Sequence, residues 1–377
     1  MRKYILIILL MLYFIYAQAQ NDSTATDSIL LKKIEQEMNA AQASPPVVQQ
    51  RTAPSANPSI SVIGDFLAHY TSTERRHLNF NLEETEFSFQ STVDPYAKAD
   101  FFYSVSRDAE TGKFSGEIEE GYLTTLSLPA HLQLKAGKFK QALGRVNTVH
   151  SHALPFIDMP DAYVNYFGEE GLNDEGLSLS WLVPNAKFFQ ELTVELTDGP
   201  RESPSFIYSS RTHFLMLAHL KNFWDLNQNT TLELGVTEIS GKNESAFTTN
   251  ITAADLTYKW KPLRMNTYKS FTWQSEFFYS QARSDENTVV NSIGLYTLLN
   301  YQLSKRWFVT GRYDYSNLPF DQHYMQQSYS LTLGWYATEF QKIELAGKTT
   351  SVEQQDRGYE AFARWIFVIG SHGAHQY

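Results

Sequence analysis

The feature that most constrains this chain is a period-two alternation that begins near Ser59 and runs almost to its end. Between 96 and 105, Ala97, Ala99, Phe101, Tyr103 and Val105 share one phase, while Tyr96, Lys98, Asp100 and Ser104 share the other. Leu192, Val194 and Leu196 alternate with Glu191, Glu195 and Thr197, and Leu232, Leu234 and Val236 with Glu233 and Thr237. Further along, Ala254, Leu256, Tyr258 and Trp260 oppose Asp255 and Lys259, and Tyr329, Leu331, Leu333 and Trp335 oppose Ser328, Ser330 and Thr332. Successive side chains of a strand point to opposite faces, so this pattern spells strands with one apolar and one polar face.

The connectors alternate as well. Short turns are expected at 93–95, 128–130, 183–185, 261–262, 303–305 and 337–339, with longer polar loops near 106–116, 140–175, 198–210, 241–250, 281–290, 316–323 and 349–357. Short turns at one end and long loops at the other are the plan of a transmembrane barrel. A β-sandwich or propeller would not sort its connectors this way. The expected fold class is all-β, an antiparallel transmembrane β-barrel of about 16 strands over residues 59–377. Its last strand is expected at 359–369, with Ala361, Ala363, Trp365 and Phe367 facing lipid, and the chain ends on an aromatic residue, Tyr377.

Composition agrees. Aromatic residues make up 14% of the chain, yet its mean hydropathy is only −0.35, as expected of a lipid-facing band around a wet interior. There is no cysteine, which excludes disulfides, thiolate metal sites and cysteine nucleophiles. The formal charge of −10 argues against a nucleic-acid partner, because phosphate binding requires excess Lys and Arg.

The N-terminal residues read differently. Arg2 and Lys3 precede an apolar run over 4–16 and then Ala17-Gln18-Ala19, the parts of a secretory signal peptide over 1–19. Residues 20–58 are expected to form a short periplasmic helix and a Pro-rich tether. Leu31, Ile34, Met38 and Ala41 recur at heptad spacing, Thr26 or Asp27 suits the N-cap, and Pro45-Pro46 stops the helix. A coiled coil between protomers and a lone helix on a linker both fit. The expected location is the cell outer membrane of a Gram-negative bacterium.

Glu119-Glu120-Gly121-Tyr122-Leu123, Leu134-Lys135-Ala136-Gly137-Lys138-Phe139-Lys140, and Leu143-Gly144-Arg145 resemble a strand pair and following loop of Bacteroidetes-type outer-membrane porins. That broad group includes phosphate-selective porins. Residues 167–176 resemble a subgroup of such barrels. The resemblance implies that the long loop 140–175 folds into the lumen and narrows it, and that the molecule is a homotrimer, as porins of this size commonly are. On that reading Arg145, His150, His152, Asp158, Asp161, Glu169 and Glu170 belong to the constriction loop. The acids in 168–176 are expected to form a solvated rim.

Strand parity assigns Glu84, Glu86, Asp100, Glu119, Glu191, Glu195, Glu233, Asp255, Glu276, Asp314, Glu344 and Glu360 to the lumen, with fewer bases: Lys98, Lys135, Lys259, Arg312, Lys348 and Arg364. Acid rings favour cations, whereas phosphate selectivity requires a ladder of Arg and Lys. His150 and His152, one residue apart, point to one side of an extended chain and invite a metal reading with Asp158 and Asp161. Spacing alone does not close a tetrahedral site, so loop anchoring is expected instead, with no metal and no cofactor. His213 and His219 share a strand phase but have no serine motif or paired carboxylates beside them, so no enzyme is expected. The expected function is passive diffusion of small hydrophilic solutes through a lumen with a weak preference for cations. The alternatives are a plugged surface barrel serving a binding or assembly partner and, second, an outer-membrane hydrolase.

Overall fold

The computed structural model describes residues 58–73, 78–108, 111–184, 186–207 and 213–370. The expected signal peptide, N-terminal helix and nearly all of the tether lie outside these residues, as does Tyr377. The alternating segments form β1 (Ser59–Thr71), β2 (Leu78–Asp94), β3 (Ala97–Arg107), β4 (Phe114–Thr125), β5 (Leu132–Lys140), β6 (Asn173–Leu182), β7 (Phe189–Thr197) and β8 (Leu215–Asn227). They continue as β9 (Thr230–Lys242), β10 (Thr248–Trp260), β11 (Phe271–Arg283), β12 (Val289–Ser304), β13 (Trp307–Leu318), β14 (Asp321–Thr338), β15 (Gln341–Val352) and β16 (Gly358–Gly370). Every neighbouring pair is antiparallel, and β1 pairs with both β2 and β16, so the sheet closes into a barrel of sixteen strands. Closure leaves no strand edge with unpaired N–H and C=O groups, which is the condition for spanning hydrocarbon with strands.

The outward phase is apolar. Phe101, Val194, Val236, Phe277, Leu299, Leu331, Leu345 and Trp365 are all exposed on it. Toward the short-turn end, Trp307 and Trp335 face each other across β13 and β14 with ring centroids 6.1 Å apart, and nearer the loop end Tyr313 and Tyr329 form a second cross-strand pair at 5.0 Å. Amphipathic rings suit membrane interfaces.

Several boundaries differ from those expected. Strands β13 and β14 are joined by residues 319–320 alone, so no long loop exists at 316–323. The connector at 261–262 is instead a ten-residue segment, 261–270, containing a 3-10 turn at Leu263–Met265. The β7–β8 loop runs over 198–214, which puts His213 ahead of β8 and off the strand that carries His219. The acidic segment 168–176 is only partly a rim: Asp174 lies in β6, buried, and accepts a hydrogen bond from Gln141 Nε2 at 2.7 Å.

Most register irregularities sit at hairpin ends, but two β-bulges lie away from them and reset strand phase. Asp65 pairs with Glu84 but Phe66 with Leu82, and Phe102 pairs with Glu120 but Tyr103 with Ile118. At the second bulge Glu119 is the extra residue, so Glu119 and Glu120, adjacent in sequence, are both buried. The inward phase is divided around the barrel. On β8–β12 it includes Leu215, Leu217, Ile239, Ile251, Ala253, Phe278, Tyr296 and Leu298; across the β13–β3 arc it carries Arg312, Asp314, Lys342, Glu344, Arg364, Asp65, Glu86 and Asp100.

Candidate constriction loop and charged vestibule

Apolar residues facing a barrel lumen remain exposed to water unless something covers them. Residues 141–172, between β5 and β6, do so. Leu143, Val146, Leu154, Phe156, Tyr163, Tyr166, Phe167 and Leu172 form one buried cluster with the apolar wall of β8–β12. A short helix, α1 (Asp161–Phe167), presents Tyr163 and Phe167 edge-on to Phe278 at 5.1 and 5.5 Å. It ends at Gly168, whose φ of 89° is open to glycine at little steric cost. Beneath this cluster Glu276 accepts four hydrogen bonds: Arg145 N–H at 2.8 Å, Val146 N–H at 3.0 Å, Tyr163 OH at 2.5 Å and Tyr296 OH at 2.6 Å. A buried carboxylate needs such a full set of donors. The approach is so close that a Cβ at Gly144 would collide with the Glu276 carboxylate.

The opposite side of the loop is held by ions. Asp158 Oδ2 pairs with Arg312 and Lys348, each at 2.8 Å, and Arg312 also donates to the Asp158 carbonyl at 2.7 Å. Burial works against the Asp158 charge, yet Arg312 and Lys348 bring its pKa down to about 2. Asp161 pairs with Lys348 at 2.7 Å and accepts a short hydrogen bond from Ser328. Phe156 lies under the Arg312 guanidinium at 4.8 Å. Lys342 donates to the carbonyls of His152 and Leu154, both at 3.1 Å, and Arg364 pairs with Asp65 while reaching the Ser151 carbonyl.

His150 sits at the β2–β4 wall. Its Nδ1 is 2.8 Å from Glu86 and 3.3 Å from Glu119, and its Nε2 is 2.8 Å from Glu120. Burial alone favours the neutral ring, but Glu119, Glu120 and Glu86 overcome this and hold its pKa well above the usual imidazole value. His152, also buried, places Nδ1 3.7 Å from Glu86.

The loop thus brings together Arg145, His150, His152, Asp158 and Asp161 with wall residues. Glu169 and Glu170, with Asp158 and Asp161, border a cavity of about 1450 Å³ between the loop and the β14–β4 wall. Its lining carries a surplus of acids, among them Glu83, Glu84, Glu117, Glu119, Asp158, Asp161, Glu169, Glu170, Glu202 and Glu360, against Arg107, Lys140, Lys348 and Arg364. The other parity-assigned residues divide by neighbourhood. Lys98 pairs with Asp100 at 2.8 Å, Lys221 with Glu233 at 3.1 Å, Arg312 with Asp314 at 2.8 Å and Lys342 with Glu344 at 3.2 Å. Glu191 is in register with Lys221, Glu195 accepts the Ala142 N–H at 3.0 Å, Lys135 lies over the Tyr122 ring, and Asp255 is buried. Parity reasoning overlooked Asp65, Lys221 and Lys342, although their phase marks them; Glu120 was hidden by the bulge.

A closed sixteen-stranded barrel with an apolar exterior and a long loop folded within it is the architecture of outer-membrane porins. Among solved structures, the chain is similar to the outer membrane channel DcaP of Acinetobacter baumannii, at 10% identity with a TM-score of 0.57 over 83% of this chain and 97% of that one. It is similar to the trimer form of OmpT, an outer membrane protein of Vibrio cholerae (8%, 0.56, covering 82% and 100%), and to an anion-selective porin from Comamonas acidovorans (9%, 0.55, covering 83% and 99%). In sequence it is 26% identical, over an alignment of 344 positions, to an uncharacterised protein of Aquifex aeolicus (strain VF5), covering 79% of this chain and 70% of that protein. No family model matches. At these identities the structural likeness establishes the fold.

Proposed function

We propose that the protein is a passive outer-membrane porin for small hydrophilic solutes, constricted by residues 141–172 and weakly selective for cations. The observation that carries this reading is the acid surplus along the cavity on the charged side of the loop, since acid-lined passages concentrate cations and repel anions. The same surplus runs against the Arg and Lys ladder that phosphate selectivity requires, so phosphate selectivity is no part of this reading. The fold itself is neutral on this point, because the Comamonas relative is described as anion-selective. A homotrimer fits the trimeric Vibrio relative and the heptad spacing near the N-terminus; crosslinking that yields only monomers would remove it. The reading includes no catalytic role: His219 is engaged with Thr237 at 2.9 Å. Stable conductance steps from the purified protein in a planar bilayer are the expected result.

One observation favours a second reading, a plugged barrel serving a partner. The loop is bonded to walls all around the lumen, at Glu195 of β7, Glu276 of β11, Ser292 of β12, Arg312 of β13, Lys342 of β15 and Arg364 of β16. Folded protein that inserts and stays electrically silent would favour that reading over the porin.

A further inference from the structure

We infer that Glu86, His150 and His152, with Glu84 and Glu119 at their margin, form a binding site for one divalent transition-metal ion that clips the inserted loop to the barrel wall. The inference stands whether or not the barrel conducts.

The donor set is the first support. One nitrogen each from His150 and His152 and one oxygen from Glu86 lie within 4.8 Å of one another, and so do oxygens of Glu84, Glu86 and Glu119. Glu86 belongs to both groups. Ligand atoms about 2.0–2.1 Å from a tetrahedral zinc ion stand roughly 3.3–3.4 Å apart. The separations of 2.8, 3.3 and 3.7 Å from His150 Nδ1 to Glu86, from His150 Nδ1 to Glu119 and from His152 Nδ1 to Glu86 bracket that spacing. Two imidazoles with carboxylate oxygens suit zinc and its first-row neighbours, whereas magnesium and calcium prefer oxygen alone.

The surroundings supply independent support. Glu86 is fully buried, and its Oε1 has no hydrogen-bond partner. Uncompensated buried carboxylate is costly, and Lys140, 3.2 Å from Glu119, is the base ion-paired with this group of acids. A divalent ion between these oxygens and the imidazoles offsets that charge. On the far side of the ring, Glu120 holds His150 Nε2 at 2.8 Å and accepts the Lys140 N–H at 3.0 Å. A carboxylate on the remote nitrogen fixes the tautomer and orientation of a metal-binding histidine, which makes Glu120 a positioning residue. An ion has a way in, because Glu84 and Glu119 border the large cavity while Glu86 and the histidines lie behind them.

The test uses the full chain folded in detergent, stripped with chelator, then dialysed against low micromolar ZnCl2 near neutral pH. The expected result is about one zinc per chain by elemental analysis. X-ray absorption should show two imidazole nitrogens with oxygen neighbours at about 2.0–2.2 Å. His150→Ala combined with His152→Ala should abolish binding, Glu120→Gln should weaken it about 10–100-fold, and His323→Ala, an exposed site elsewhere, should leave it unchanged. Folded wild type that retains no zinc overturns the inference, as does zinc retained undiminished in the double variant, which would be surface binding only. If the double variant does not fold, the wild-type absorption spectrum decides alone: a first shell without imidazole overturns the site.

Discussion

The two halves of the lumen hold the same loop by different physics. On β8–β12 the contact is apolar and close-packed, with Tyr163, Phe167 and Phe278 at its centre, the Glu276 carboxylate threaded through it and Arg145 reaching Glu233 at its margin. On the β13–β4 side the contact is a lattice of ions: Asp158 with Arg312 and Lys348, the Lys342 ammonium on two carbonyls, and His150 among three glutamates. Apolar packing excludes water, whereas an ionic lattice beside a cavity tolerates it. On the proposed porin reading the aqueous route follows the charged side, while the apolar side fixes the loop to the wall.

The comparison can be broken most forcefully from its apolar half. Truncating a fully buried aromatic ring costs about 3–5 kcal/mol, so Tyr163→Ala together with Phe167→Ala should release the loop. Conductance should rise several-fold, and protease should cut within 141–172. Unchanged conductance would mean that this packing does not hold the constriction. Glu276→Ala comes next, since it strands four donors, and hydrogen bonds to charged groups are worth about 1.5–3 kcal/mol each before relaxation. Faster proteolysis near Arg145 is the expected sign, and wild-type protection would contradict the role given to this carboxylate.

The charged half is best examined by pH. The carboxyl of Asp158, held at about 2, lies below its unfolded value of roughly 3.9, so its contribution is complete above that unfolded value and is lost as pH falls toward the folded one. Protease resistance of the loop beside Asp158 should therefore persist from neutral pH down to about 4 and decline below that. Loss of protection between pH 7 and 5 would show that Asp158 is not what anchors this side. The smallest effect is expected from Lys98→Gln. That lysine is substantially exposed although its partner Asp100 is buried, and glutamine keeps a donor for the carboxylate, so thermal unfolding should move only slightly.

Much of this organisation was legible in sequence. Period-two alternation and sorted connectors specify a closed barrel because a strand has only two faces and lipid admits no free edge. The division of the lumen was written there too: Ile239, Ile251, Ala253 and Phe278 stand in the inward phase, where a water-filled barrel has no use for them. Such residues signal a lid from elsewhere in the chain. Two things were not legible. A bulge depends on pairing between strands and leaves little local trace, so parity could not place both Glu119 and Glu120 inside. The helix Asp161–Phe167 is too short for a periodic signal, since a helix of that length forms only when tertiary packing supports it.

The most direct test of the account is the reversal potential of single channels under a salt gradient of potassium chloride. A route along the acidic side of the loop predicts a reversal potential displaced toward that of potassium, by a modest amount, with the displacement shrinking at high ionic strength as the acids are screened. A reversal potential displaced toward that of chloride would contradict the account, because it would mean that the bases of the cavity lining, Arg107, Lys140, Lys348 and Arg364, outweigh the acids beside them.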